Sequence, residues 1–226
     1  MDLSFLDFHY SGLDHAGMAK LLEAMQPFRQ MMMRYECALM EVKTKVEVLD
    51  REFASRYQRN PVEHISTRLK SPLSILEKLE RKGFEVNFDN IQNEIHDVAG
   101  IRIVCTFQND IYAIADLLMN QDDVTVLRIK DYIKTPKENG YRSLHLLLGV
   151  PVFLSSGKQL MCVEVQIRTV AMDFWASLDH KLRYKRDLEN EAEITARMSK
   201  CATVIAALDD EMQNIHRTIF PDGDGL

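Results

Sequence analysis

Three short stretches of the chain hold the residue types best suited to chemistry. In VEVQIR (163–168), Val163, Val165 and Ile167 alternate with Glu164, Gln166 and Arg168, so a strand here turns three polar or ionisable groups to one face. Asp97 directly precedes a second strand-like run, VAGIRIVCTF. Two carboxylates brought together by neighbouring strands make a magnesium site, because this hard cation takes oxygen ligands and shares them with substrate phosphates. An edge strand with a wet face is the bland alternative.

In TRLKSPLSILEKLERKG (67–83), Ser71 suits an N-cap, Pro72 the first helical position and Gly83 the stop. On the helix this predicts, Ser74, Lys78 and either Arg81 or Lys82 share a face. Arg68 and Lys70 stand just before its amino terminus, where free N–H groups and the helix dipole favour an anion. The segment reads as a polyphosphate holder. The third stretch, DYIKTPKENGYRSLH (131–145), carries with the preceding Lys130 three lysines and Arg142 against two acids. Its Asn139-Gly140 pair marks a turn that exposes Tyr141, and a locally basic loop of this kind invites an anionic ligand. His96-Asp97 could also open a His/Asp metal phosphohydrolase set, but the residues upstream lack the further ligands. No Walker-type loop, Ser/His/Asp elbow or kinase set is present.

The elements that must position these residues follow from periodicity. Ile101–Phe107, Thr125–Ile129, Leu144–Val150 and Met161–Arg168 read as strands, and Ser71–Arg81 and Asp110–Asn120 as helices. This predicts an α/β (α+β) core with a mixed sheet. On either side lie helical stripes with steps of three and four. One runs Met25, Phe28, Met32, Tyr35, Leu39, Val42, Val46, Leu49, Phe53; the other runs Ile194, Met198, Cys201, Ile205, Leu208, Met212, Ile215, Ile219. Each wants a partner: the other stripe, the central sheet or a second subunit. The expected organisation is a helical extension over 1–60, a core over 61–186, and a carboxyl-terminal helix and tail over 187–226.

With 226 residues, 46% of them apolar, the chain folds around a sizeable core. The net charge of −6 is carried by residues 187–226, which hold nine acids and three basic residues, so residues 1–186 sum to zero. Local basic patches are compatible with that, whereas a bulk pull on nucleic acid or an acidic membrane is not; RNA binding is possible but not indicated. The four cysteines lie about 40 to 70 residues apart, fitting neither a zinc spacing nor a disulfide framework, and are expected as buried thiols of a reducing cytoplasm. The opening MDLSFLDFHY has no basic n-region, and no apolar run is long enough for a membrane span.

Taken together, TRLKSPLSILEKLERKG, IHDVAGIRIVC, DYIKTPKENGYRSLH and EVQIRTVAMDFWASLDHKLRYK resemble the synthetase domain of the RelA/SpoT family, over about residues 64–186 and in the family's order. The chain's length, without the hydrolase and regulatory domains of long family members, and the AMDFWASLDHKL segment resemble a stand-alone small alarmone synthetase, nearest the RelP type and next to RelQ.

The resemblance implies a nucleotidyltransferase-like sheet and transfer of the β,γ-pyrophosphate of ATP to the 3′-hydroxyl of GDP or GTP, with Mg2+ as cofactor. It implies adenine held between Arg68 and Arg102, and ATP phosphates held by Lys70, Ser74, Lys78 and Arg81. Asp97 and Glu164 would bind the metal, with Glu164 also taking the proton of the 3′-hydroxyl. Guanine would stack on Tyr141. Lys130, Lys134, Lys137 and Arg142 are candidates for the acceptor's 5′-phosphates, and His145 and Gln166 for supporting or ribose contacts.

At position 173 this chain has Asp where RelQ-like relatives carry Asn. A carboxylate there suits the N1–H and N2–H2 edge of guanine, so Asp173 is expected to read the base. Trp175 is expected in the core. Relatives form homotetramers through terminal helices, which the two stripes would allow. The alternative reading is a catalytically silent nucleotide- or RNA-binding module of the same fold.

Overall fold

The structure, a computed structural model, describes residues 22–23, 25–183 and 190–220. The first part of the expected amino-terminal extension, with its opening decapeptide, and the last residues of the tail therefore lie outside the described residues. A long helix α1 (Gln26–Tyr57) carries the first apolar stripe, with Pro27 in its first turn. From Met32 to Phe53 that stripe is buried, joined by Met31 and Ala38. It lies along one face of the sheet, across β1 (Val62–Leu69), β2 (Ala99–Cys105), β4 (Leu144–Leu154) and β5 (Gly157–Thr169). The helix expected as an extension is thus a layer of the core.

The sheet has the order β1-β2-β5-β4-β3, with β3 spanning Thr125–Asp131. Only β2 and β5 run parallel; the other neighbours are antiparallel. Period-2 alternation sends Ile101, Ile103, Val163, Val165, Ile167, Leu146 and Leu148 into the core under α1. Helix α4 (Gln108–Met119) packs on the same core through Ile111, Ile114, Ala115 and Leu118.

Two short helices follow β1. Helix α2 (Pro72–Lys82) has the expected ends: the Ser71 side chain accepts from the Ser74 N–H, and Gly83 closes it at φ 75°. Helix α3 (Phe88–Glu94) is capped by Asn87. Helix α5 (Val170–Arg183) continues directly from β5, and α6 (Glu191–Ile219) packs on α5 and α4.

The second apolar stripe is only partly covered within the chain, with Ile194, Met198 and Ile205 half-buried and the rest exposed. On α6 the buried residues are Ala202, Ala206, Asp209 and Gln213, each one position on from a stripe residue, whereas Leu208 and Ile219 are 55% and 63% exposed. Small side chains let α6 approach the loop after β3 closely, and the large apolar ones turn outward. Cys201 on that stripe is exposed, and Cys37 and Cys162 are half-buried, so of the expected buried thiols only Cys105 is fully inside; all four are free. Trp175 is in the core, as expected, and its indole N–H donates to the Met198 carbonyl on α6 at 3.0 Å.

Candidate active site

The sheet face turned away from α1 carries the chemistry. Strand register lays its side chains in two rows across the sheet. Arg68, Gly100, Glu164, Leu147 and Arg128 form one row; Ser66, Arg102, Gln166, His145 and Lys130 form the next. Glu164 stands at the centre of the first, on the middle strand. Gly100 beside it adds no side chain, which leaves the floor open towards Arg68.

Asp97 comes in from the turn before β2 and is gripped by two lysines. Lys70 Nζ donates to Oδ2 at 2.9 Å, and Lys78 Nζ, from α2, lies 2.8 Å from Oδ1. Burial raises the Asp97 carboxyl, but Lys78 and Lys70 outweigh it and hold it below the ordinary carboxylate range. Burial likewise raises Glu164, and the contacts from His145 and Gln166 outweigh it and keep it low. Gln166 Nε2 donates to Glu164 Oε2 at 2.9 Å, while His145 Nδ1 faces Oε1 at 3.6 Å. Both carboxylates are therefore ionised at neutral pH.

Two hollows open on either side of this pair and share it as a wall. One, of about 290 Å³, is lined by Ser66, Arg68, Lys70, Gly100, Arg102 and Gln166 besides Asp97 and Glu164. The other, of about 320 Å³, is lined on its basic side by Lys78, Lys82, Arg128, Lys130 and Lys137, with Tyr132 and His145. An enzyme that joins two anionic substrates needs this arrangement: two cationic lobes meeting at a pair of acids.

Divalent metal fits here. Asp97 Oδ1 is buried, with the Lys78 ammonium 2.8 Å away as its charge partner. Two carboxylates suit a Mg2+ that draws its remaining ligands from water and phosphate. Among the described residues no cluster of three acidic, His or Cys side chains would hold a metal without substrate.

The loop after β3 is built on aromatic rings. Tyr132, Tyr141 and His145 meet edge to face, with centroids 5.1 to 5.9 Å apart. Lys137 Nζ lies 4.7 Å from the Tyr132 centroid and 4.8 Å from that of Tyr141. Behind Tyr141 sits Arg168, 4% exposed, which donates to the Tyr141 hydroxyl, to Gln166 Oε1 and to Asp173 Oδ1. Arg102 reaches the same Asp173 oxygen at 3.3 Å.

The turn before Tyr141 is pinned by α6. Gly140 has φ +87°, and a Cβ there would stand 2.4 Å from Ala202 Cβ. Gly140→Ala would add about 1–3 kcal/mol of backbone strain to that clash. It is expected to raise the KM of the substrate bound on the Lys130–Lys137 side several-fold while leaving that of the substrate on the Arg68–Arg102 side within about twofold. Steady-state kinetics with each substrate varied in turn checks this.

Of the residues singled out in the sequence, Arg68, Lys70, Lys78, Asp97, Arg102, Lys130, Lys137, His145, Glu164 and Gln166 line the two hollows, and Tyr141 and Asp173 touch them through Arg168, Arg102 and His145. Ser74 is occupied at the helix N-cap, with its N–H bonded to Ser71 Oγ. Arg81 is exposed and lines neither hollow; the last cation of α2 in the cleft is Lys82. Arg142 points the other way, its guanidinium 3.5 Å from the Ile133 carbonyl and lining a small crevice with Asp209 under α6. Lys134 lies over Tyr112, 5.1 Å from its centroid. Sequence reasoning missed Arg128 and Tyr132, although both share the parity of Lys130 along an extended chain.

A mixed sheet whose open face carries paired carboxylates between two cationic lobes defines a phosphoryl-group transferase that handles two nucleotides. The chain belongs to the RelA/SpoT family: the pattern described as a region found in RelA / SpoT proteins matches residues 67–189. GTP pyrophosphokinase YwaC of Bacillus subtilis is 39% identical over 202 residues, 89% of this chain and 96% of that protein. GTP pyrophosphokinase YjbM of the same organism is 36% identical over 181 residues, 80% of this chain and 84% of that one. The crystal structure of small alarmone synthetase 1 from B. subtilis bound to its product pppGpp superposes with a TM-score of 0.78 at 34% identity, covering 86% of this chain and 98% of that one.

Proposed function

We propose that this protein is a (p)ppGpp synthetase that transfers the β,γ-pyrophosphate of ATP to the 3′-hydroxyl of GDP or GTP and releases AMP. The observation that carries the reading is the shared wall: Asp97 and Glu164 belong to both hollows, so two nucleotides bound side by side meet at these acids. Arg68 and Arg102 suit an adenine by guanidinium stacking, with Lys70 in the same hollow at its phosphates and Lys78 reaching them from the neighbouring hollow across Asp97. Tyr141 offers the acceptor's guanine a ring, and Lys130 and Lys137, with Arg128 and Lys82, surround its phosphates.

In the reaction the 3′-oxygen bonds to the β-phosphorus of ATP as the bond from that phosphorus to the α-phosphate oxygen breaks, and AMP carries that oxygen away. Glu164, ionised and fixed by Gln166, accepts the hydroxyl proton. Lys70 and Lys78 spread charge over the triphosphate, while most of the acceleration comes from holding the two nucleotides in line. Asp97 and Glu164 would hold a Mg2+ together with substrate, and such an ion would supply charge neutralisation on the transferring group.

Since both lobes must fill before transfer, initial rates should follow a sequential pattern, with lines that intersect when ATP and GDP are varied together. Parallel lines, the mark of a covalent pyrophosphoryl-enzyme, would contradict the scheme.

Asp173 is the candidate base reader: its carboxylate is held by Arg102, which lines one hollow, and by Arg168, which lies behind Tyr141. Asp173→Ala is expected to relax the preference for GDP over ADP; unchanged discrimination would leave Asp173 only its hold on the two arginines. The outward part of the apolar stripe on α6, with Leu208 55% and Ile219 63% exposed, supports a homotetramer built through terminal helices. A cytoplasmic location accords with free thiols, and among the described residues no helix is long and apolar enough to cross a membrane.

A further inference from the structure

Tyr141 does more in this structure than present a ring. Its hydroxyl lies 2.6 Å from Arg168 Nη2 and 2.8 Å from His145 Nε2, and the far nitrogen of that imidazole, Nδ1, faces the Glu164 carboxylate. A guanidinium only donates and an ionised carboxylate only accepts. The Tyr141 oxygen therefore receives the Arg168 N–H and passes its own proton toward His145 Nε2. That leaves the proton of the neutral imidazole on Nδ1, pointing at Glu164. A second path runs from the same Arg168 Nη2 through Gln166 Oε1 and Gln166 Nε2 to Glu164 Oε2. Both oxygens of the carboxylate are thus addressed from one buried guanidinium, itself held by Asp173.

We propose that the Tyr141 hydroxyl, oriented by Arg168, fixes the tautomer of His145 and through it the orientation of Glu164, making Tyr141, His145 and Arg168 positioning residues for the transfer step. The inference rests on the synthetase reading for its kinetic consequence, but the tautomer itself can be read without any reaction. The ring and the hydroxyl of Tyr141 then have separable roles: the ring binds the acceptor, and the hydroxyl acts on the rate.

The test begins with nitrogen NMR of protein labelled with 15N-histidine, free of nucleotide and metal, with the His145 signals assigned by their loss in His145→Asn. The expected result is a protonated Nδ1 and a bare Nε2 for His145 in the parent protein, the reverse of what free imidazole prefers, and a move toward protonated Nε2 in Tyr141→Phe. Kinetically, Tyr141→Phe should lower kcat about 10–100-fold, as losses of orienting partners around a reacting group do, with the acceptor KM within about threefold because the ring remains. Asn at position 145 places an amide N–H where Nδ1–H was, so in a His145→Asn background the added Tyr141→Phe change should cost no further rate.

A protonated Nε2 in the parent protein would overturn the inference, and this reading stands even if Tyr141→Phe does not fold. So would a kcat for Tyr141→Phe within about twofold of the parent, or an equal loss in the His145→Asn background. Absence of product with any acceptor would instead remove the synthetase reading and leave the tautomer to the spectrum.

Discussion

Glu164→Gln is expected to lower kcat by roughly 10²–10⁴-fold, the range a positioned proton acceptor supplies, while ATP binding measured by calorimetry stays within about threefold. The substitution keeps the shape of the side chain and removes its charge at the point where both hollows meet. A neutral amide takes no proton from the 3′-hydroxyl and is a poor ligand for a hard cation. ATP binding persists because Lys70 and Lys78 keep their hold on Asp97, and Lys70, Arg68 and Arg102 still line the hollow assigned to ATP. Gln166 also loses an acceptor wherever the new amide turns its NH2 towards it, which loosens the site without opening it. Activity within tenfold of the parent would contradict the role given to Glu164.

Tyr141→Ala is expected to raise the acceptor KM about 5- to 150-fold, the equivalent of the roughly 1–3 kcal/mol that base-on-aromatic stacking contributes, with ATP KM nearly unchanged. The ring is half-buried against Tyr132 and His145 and is backed by Arg168, 5.1 Å from its centroid, so it is held ready before any base arrives. Pre-organisation of this kind puts the loss into binding of the acceptor. The lost hydroxyl lowers kcat as well, so comparison with Tyr141→Phe separates the two contributions. An equal rise in ATP KM, or an unchanged acceptor KM, would rule out a stacking platform at this position.

The catalytic strand was legible in the sequence because its signal is local. In VEVQIR an alternation of two residues fixes which side chains share a face, and the run sits among apolar neighbours that force one face inward. Helix α2 was equally plain, since Ser71, Pro72 and Gly83 mark both ends, and the stripe on α1 is continuous over 22 residues from Met32 to Phe53. Where side-chain direction depended on a single residue's rotation, sequence did less well. Arg81 and Lys82 differ by about 100° around the helix, and the cleft receives the second.

Tyr141 and Arg142 are adjacent in an extended segment, so their side chains part, one to the site and one toward Asp209 under α6. Strand β1 was hidden by its pattern: VEHISTRL does not alternate cleanly, and an irregularity between Val62 and His64 shifts its register. On α6 the buried face is turned by one residue from the apolar stripe, because Ala202 meets Gly140 closely and Asp209 and Gln213 are drawn inward by hydrogen bonds with Thr169, Gln108 and the Asn109 N–H.

The most direct measurement is to incubate the purified protein with Mg2+, ATP labelled at the γ-phosphate, and GDP or GTP in turn, and to separate the nucleotides by anion exchange. A labelled guanine nucleotide two phosphates richer than its acceptor, with AMP released in equal amount, is the predicted result and would rank the acceptors at the same time. Binding of guanine nucleotide with no AMP formed from any acceptor would contradict the account and identify the protein as a silent nucleotide-binding module of this fold.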